Sequence, residues 1–314
     1  MKRNLLITGS SGYVGQEFIL NEKINNFQVI SLDKDKKNNP DINLDLNDLS
    51  LTENLKKNLK DYKNLSILNL AAARTDYASH AEYISDNVDG TKNLLNALEI
   101  CNVKIDVFVH ISSIAVFEGF ELINNKANLN MLSSDESYKY SKAMQEIFIS
   151  NWCIENNINL IIIRPAAIFS KFGPKDTNTK RLFSLLKYSP IIFSSKAKKS
   201  LTYVKNLVEN IYLALYSRET GTMLAVEKPM LSVNDIQQIV LKNKKLFSLK
   251  IKIKKKNLLR ISYFLTRFLG IFLSDPIFTP NRVEKFFKST GYLEEGNLSY
   301  VQTVPLEEAL EKSL

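Results

Sequence analysis

The feature that most narrows the folds open to this chain lies at its start. An apolar run, Leu5-Leu6-Ile7-Thr8, leads straight into Gly9, Gly12 and Gly15. Glycine permits positive φ and close backbone approach, so three of them after one strand describe a demanding turn. Gly9 suits the tight bend. Gly12 leaves room for a phosphate at a helix N-terminus, and Gly15 lets that helix lie close on the strand. The spacing G-x-x-G-x-x-G departs from the commoner G-x-G-x-x-G, and a glycine turn in some other α/β protein is the competing reading. A second apolar run, Phe27–Leu32, ends in Asp33. An acid there accepts hydrogen bonds from ribose hydroxyls and repels a 2′-phosphate, which favours NAD over NADP. Lys34, Lys36 and Lys37 pull the other way, as cations beside a phosphate.

Strand-like runs then alternate with amphipathic segments. The strands are read at Asn4–Thr8, Gln28–Leu32, Leu65–Leu70, Val107–Ile111 and Leu160–Arg164, with helices starting near Tyr13, Leu51, Tyr83 and Tyr138. A further helix is read at Asn206–Ser217 and a later strand at Thr222–Glu227. This alternation predicts an α/β fold, a doubly wound parallel sheet covered on both faces. Residues 1–170 and 203–227 are expected to form the dinucleotide-binding domain. Residues 171–202 and 228–314, richer in proline and lysine, are assigned to a smaller, discontinuous C-terminal substrate region.

Composition limits the class. Of 314 residues, 45% are hydrophobic and 24% charged, as in an ordinary soluble globular protein. Cys101 and Cys153 make no disulfide framework. The first strand begins too near Met1 for a signal peptide, and no spanning apolar window is read, so a cytoplasmic protein is expected. The net charge is +9, and the stretch Lys242–Arg260 carries much of the excess. The amphipathic run after it extends the segment to residue 273. A solvated surface beside a core helix, a contact for an anionic substrate and a peripheral contact with acidic lipid compete as readings of 242–273. Nucleic acid is not expected, since no aromatic array is interleaved with the charge. No metal site is expected either.

The chemistry-bearing residues follow the strands. Ser112 and Ser113 stand at the C-terminal end of the fourth long strand, the side where ligands of open parallel sheets bind. In E-S-Y-K-Y-S-K, Tyr138 and Lys142 are four apart and share a helix face. A lysine beside a phenol favours the phenolate and lowers its pKa. The tyrosine can then exchange a proton with a hydroxyl or carbonyl oxygen while hydride moves, and Ser113 can hydrogen-bond the same oxygen.

The order of glycine turn, acid, strand-end serines and Tyr/Lys helix resembles the extended short-chain dehydrogenase/reductase family, the NAD-dependent epimerase/dehydratase group. The resemblance spans roughly residues 3–226. It includes T-G-S-S-G-Y-V-G (Thr8–Gly15), L-D-L-N-D around Asp45 and Leu46, N-L-A-A-A-R-T (Asn69–Thr75), N-V-D-G-T-K-N (Asn87–Asn93), the R-P-A-A-I-F strand and L-T-Y-V-K-N-L-V. It implies Tyr138 as acid/base, Lys142 as its activator and ribose ligand, and Ser113 as the oxyanion partner. It implies that Gly9, Ser11, Gly12, Tyr13, Val14, Gly15, Asp33, Asp45, Leu46, Leu70, Ala71, Ala72, Asn87, Tyr138, Lys142 and Pro165 line NAD. In any buried strand Leu70, Ala71 and Ala72 would also face the core, and Asn87 could simply brace its helix.

Departures from the family pattern bear on the reaction. The strand end lacks the adjacent Asp-Glu pair of the 4,6-dehydratases, which argues against elimination of water. Asn69 replaces a usual histidine and Phe117 a common tyrosine. Ser170 stands where glycine is frequent, and Lys205 where aspartate is. The expected activity is therefore that of a nucleotide-sugar epimerase or keto-sugar reductase. A steroid- or flavonol-type alcohol dehydrogenase and a non-catalytic NAD-binding scaffold or sensor are the alternatives. Arg74, Arg181 and Lys198, with Ser113, are candidate substrate contacts, and a homodimer is compatible with the resemblance.

Overall fold

The computed structural model describes residues 2–73, 78–116, 137–174, 177–188, 191–193, 195–242, 251–253, 255–269, 280–289 and 296–313. The chain divides into two compact units. The first comprises Met1–Ala166, Val204–Ala225 and Glu294–Val301; the second comprises Ala167–Tyr203, Val226–Leu293 and Gln302–Leu314.

The first unit is built on a seven-stranded sheet. Its strands are β1 (Arg3–Thr8), β2 (Phe27–Asp33), β3 (Ile42–Asn43), β4 (Asn64–Asn69), β5 (Lys104–Ile111), β6 (Asn159–Pro165) and β7 (Gly221–Ala225). The order is β7-β6-β5-β4-β1-β2-β3, and every pairing is parallel. This is the doubly wound order, with its switch point between β1 and β4. The carboxyl ends are in register: Thr8 pairs with Leu32 and Asn69, and Asn69 pairs with His110.

The strands read as continuous apolar runs because both faces are buried. Leu6, Ile67, Phe108 and Ile162 form one core with the helices α2 (Leu51–Leu59), α3 (Gly90–Cys101) and α4 (Ser137–Glu155). Their neighbours Leu5, Ile7, Leu68 and Val109 are also fully buried and point to the opposite face. Two further helices, α1 (Tyr13–Ile19) and α5 (Val204–Tyr216), pack on each other there. Phe18 stacks on Tyr212 at 4.4 Å, and the Tyr212 hydroxyl donates to the Phe18 carbonyl at 2.9 Å. Cys101 and Cys153 are both free thiols.

Two elements differ from expectation. The helix read as starting near Tyr83 begins at His80 instead, where Ser79 and Glu82 form a reciprocal capping box. It then widens into a π-helical turn, Ile84–Asp89, before α3 begins at Gly90. The strand read as Thr222–Glu227 stops at Ala225. Glu227 turns into the second unit, where its fully buried carboxylate accepts the Tyr203 N–H at 2.9 Å.

Among the described residues, the second unit has three small two-stranded pairings. Ala167–Phe169 runs parallel to Leu201–Tyr203, and Ile191–Phe193 runs parallel to Ile251–Ile253. Lys198–Lys199 runs antiparallel to Leu231–Ser232. Phe183, Leu186, Ile236, Val240 and Leu310 are among the residues of its core.

Candidate functional site

The glycine turn is fixed by steric need. Gly9 has φ +70°, and a Cβ there would lie 2.7 Å from the Ala71 nitrogen and the Leu70 carbonyl carbon. A Cβ on Gly15 would lie 2.6 Å from the Gly9 and Ser10 carbonyl oxygens. The turn is thus pressed against the end of β4 and the start of α1 at once, which only glycine allows. Gly12 caps α1 without a side-chain bond and is exposed, and Tyr13 and Val14 follow it half-buried in the first turn.

Asp33 ties this turn to β2. Its Oδ2 accepts the Ser11 N–H at 2.8 Å and its Oδ1 accepts the Asp35 N–H at 2.8 Å. The Ser11 hydroxyl donates to the Asp35 carbonyl at 3.0 Å. Each carboxylate oxygen retains acceptor capacity for a ligand. The neighbouring Lys34 is already engaged, with Asp86 at 2.7 Å and Asp45 at 3.3 Å. Partial burial opposes its charge, but these two carboxylates prevail and raise its pKa. Lys36 and Lys37 stand exposed on the turn that follows. Leu46 is buried and lies against Gly90 at the head of α3.

Across the switch point, Leu70, Ala71 and Ala72 are half-buried. Asn87, fully buried in the π-helical turn, reaches back to them. Its Oδ1 accepts the Ala73 N–H at 2.6 Å, and its Nδ2 donates to the Ser141 hydroxyl at 2.9 Å. Gln145 makes a second bridge, donating to Thr91 Oγ1 at 2.9 Å and to the Ala71 carbonyl at 3.3 Å. The strand-end loop and α4 are therefore held together by two buried amides.

Tyr138 and Lys142 lie on the first turns of α4. The Tyr138 ring packs on Tyr83 at 5.6 Å. Lys142 is 2% exposed; its Nζ donates to the Ile111 carbonyl at 3.0 Å and to Gln145 Oε1 at 2.7 Å. Burial lowers its pKa to about 7, against an opposing pull from Glu146. Ser113 is half-buried at the end of β5, and its Oγ accepts the Ala115 N–H at 3.1 Å. Pro165 is buried at the end of β6 beside Ala225.

Two buried polar contacts that the sequence reading did not foresee join Arg164 to Glu146 and link Thr8, Asn69 and His110. Arg164 of β6 grips Glu146 through Nε at 3.0 Å and Nη2 at 2.6 Å. Thr8 Oγ1 donates to Asn69 Oδ1 at 2.6 Å, and Asn69 Nδ2 lies 3.3 Å from His110 Nδ1. With Asn69 donating, His110 Nδ1 is the acceptor and the ring's proton sits on Nε2. Burial and the nearby Lys142 push the His110 pKa well below its ordinary value, so the ring is neutral. His110 Nε2 and Ser112 Oγ find no partner among the described residues. The local signal for part of these contacts is Gln145 and Glu146, one helical turn past Lys142.

Of the candidate substrate contacts, Arg181 and Lys198 belong to the second unit, half-buried and exposed respectively. Arg74 and Phe117 lie outside the described residues. Ser170 is buried, and Lys205 is exposed near the start of α5.

The family model described as the NAD dependent epimerase/dehydratase family matches residues 5–225. The chain belongs to that family. Among curated relatives, the N-acetyl-alpha-D-glucosaminyl-diphospho-ditrans,octacis-undecaprenol 4-epimerase of Escherichia coli O157:H7 is 29% identical over 254 residues, covering 75% of this chain and 71% of that protein. Among solved structures, the UDP-glucuronic acid 4-epimerase of Bacillus cereus in complex with NAD shares the fold with a TM-score of 0.68 at 19% identity, over 99% of this chain and 95% of that one. The UDP-N-acetylglucosamine 4-epimerase of Methanobrevibacter ruminantium M1 gives 0.62 at 22% identity, over 80% and 85%. The cofactor of this epimerase/dehydratase chain is NAD, and the glycine turn fits it. A Cβ at Gly9 or Gly15 would collide with backbone, and Asp33 stands beside the turn with acceptor capacity to spare.

Proposed function

We propose that this chain is an NAD-dependent nucleotide-sugar 4-epimerase. The observation that carries the reading is Lys142: a buried ammonium one turn from Tyr138, bonded to Ile111 and Gln145. NAD supplies a hydride acceptor that can return the hydride to the sugar. Gly9, Ser11, Gly12, Tyr13, Val14 and Gly15 would hold its pyrophosphate end. Asp33, with Asp45 and Leu46, would take the adenosine side. Leu70, Ala71, Ala72, Asn87 and Pro165 would line the remainder. Tyr138 takes the proton of the sugar hydroxyl at its Oη and gives it back. The Lys142 charge favours the phenolate, and its third N–H remains for the cofactor ribose or the phenol. Ser113 donates to the same sugar oxygen.

The second unit is assigned to the sugar nucleotide, with its Arg181 and Lys198 as candidate diphosphate partners; Arg74, the third candidate read from the sequence, lies outside the described residues. The E. coli relative, named for a diphospho-undecaprenol substrate, favours a second substrate class, a lipid-linked sugar diphosphate. We extend the reading to a cytoplasmic homodimer, which light scattering on purified protein tests. Two thiols left unpaired suit a reducing compartment. Among the described residues no helix is long and apolar enough to cross a membrane.

The deciding experiment incubates purified protein with UDP-sugars and with a polyprenyl-diphosphate sugar. C4 inversion without added NAD supports the epimerase. Net consumption of added NADH with a 4-keto sugar replaces it with a reductase. No turnover of any sugar leaves the dehydrogenase or scaffold readings.

A further inference from the structure

Lys242–Arg260 contains eight lysines, one arginine and no acid, while the whole chain has a net charge of +9. Outside this one segment the chain is charge-balanced. The segment runs into the helix Lys255–Leu269 of the second unit. That helix is seated by Leu258 and Ser262, both buried. Its outward side presents Lys256 and Arg260, exposed and without an acidic partner among the described residues. Beside them stand Tyr263, 65% exposed, and Ile261, 43% exposed. Lys255, at the helix start, is instead paired with Glu284 at 2.8 Å.

An exposed tyrosine and isoleucine set among unpaired cations are poorly suited to water alone. They match a surface that offers negative charge above an apolar layer. An amphipathic helix with basic residues lies in such an interface, its aromatic and aliphatic side chains dipping below the headgroups. Double-stranded nucleic acid offers the charge without the apolar layer. We propose that the outward face of the helix Lys255–Leu269 docks this protein on the surface of an anionic lipid bilayer. The inference does not depend on which sugar the protein converts, because docking is measured with neither NAD nor sugar present.

The test is co-sedimentation of the full chain with vesicles of phosphatidylcholine mixed with phosphatidylglycerol, and with vesicles of phosphatidylcholine alone. The expected result is binding to the mixed vesicles only, weakening as salt rises. Lys256→Gln with Arg260→Gln is expected to lower the partition coefficient by about five-fold per cation. Ile261→Ser with Tyr263→Ser, tested separately, is expected to lower it as well while leaving the charge intact. Both pairs lie on the outward side, so NAD affinity should stay at the parent value and reports an intact fold. Failure of the parent to bind the mixed vesicles overturns the proposal. So does binding that neither variant changes. A parent that binds duplex DNA or RNA through these residues and leaves vesicles untouched also overturns it, assigning the face to nucleic acid.

Discussion

Arg164 of β6 clasps Glu146 of α4 in a bidentate ion pair with both side chains about 6% exposed. Glu146 is one helical turn beyond Lys142, near enough for its charge to favour the ammonium. Breaking a buried pair strands an uncompensated charge, which typically costs about 3–5 kcal/mol. Glu146→Gln should destabilise the protein on that scale in urea unfolding. Adding Arg164→Met should recover much of the loss. A double variant as unstable as the single one would mean that the pair also serves a packing role that neither charge explains.

Lys142 should leave a signature in stability against pH. Its folded pKa, about 7, lies below the ordinary value of 10.5. Between those values the unfolded chain binds the extra proton, so stability rises with pH across that window and is lowest below it. Lys142→Met removes the titration. Its stability relative to the parent should therefore be most favourable below pH 7 and should worsen towards pH 10, by a few kcal/mol at most. Chemical denaturation at several pH values reads this directly, and parallel curves would refute it.

Tyr138→Phe should keep the fold and NAD affinity while lowering turnover about 100-fold or more, the scale of lost acid–base assistance. The ring's packing on Tyr83 survives the change, so stability should hardly move. Activity within a few fold of the parent would take the proton-transfer role away from Tyr138.

Asp33 should both select NAD and stiffen the glycine turn, because the same carboxylate anchors Ser11. NAD should bind more tightly than NADP in calorimetric titration. Asp33→Ala should weaken NAD and narrow the gap. The freed 2′-phosphate site would then have Lys36 and Lys37 nearby. Equal affinities in the parent would show that these lysines already decide.

The sheet and the glycine turn were legible because their signals are local: apolar runs, glycine spacing and an acid at a strand end. The family pattern likewise placed Tyr138 and Lys142 on one helix. What escaped was contact between distant strands and helices. Arg164 meets Glu146 across 18 residues, and Asn69 meets His110 across 41. Neither separation has a periodic signature. The π-helical turn at Ile84–Asp89 was invisible for a related reason. It is sustained by Asn87 reaching Ala73 and Ser141, and only the folded chain brings those together. The lysines of the surface offered the opposite difficulty, since composition alone cannot tell Lys34, neutralised by two carboxylates, from Lys256, which has no acidic partner among the described residues.

The pairing of Asn69 with His110 makes two positions on adjacent strands energetically interdependent. Asn69 occupies the place of a usual family histidine, and an imidazole is present instead one strand over, at the registered position. Asn69→His alone would set two buried rings against each other and remove the acceptor of Thr8. His110 alone exchanged for an apolar residue would orphan the Asn69 amide. Each single change should cost stability, and the two together should be non-additive. The two positions therefore form one unit of design: a substitution at either is expected to be tolerated only with a matching change at the other.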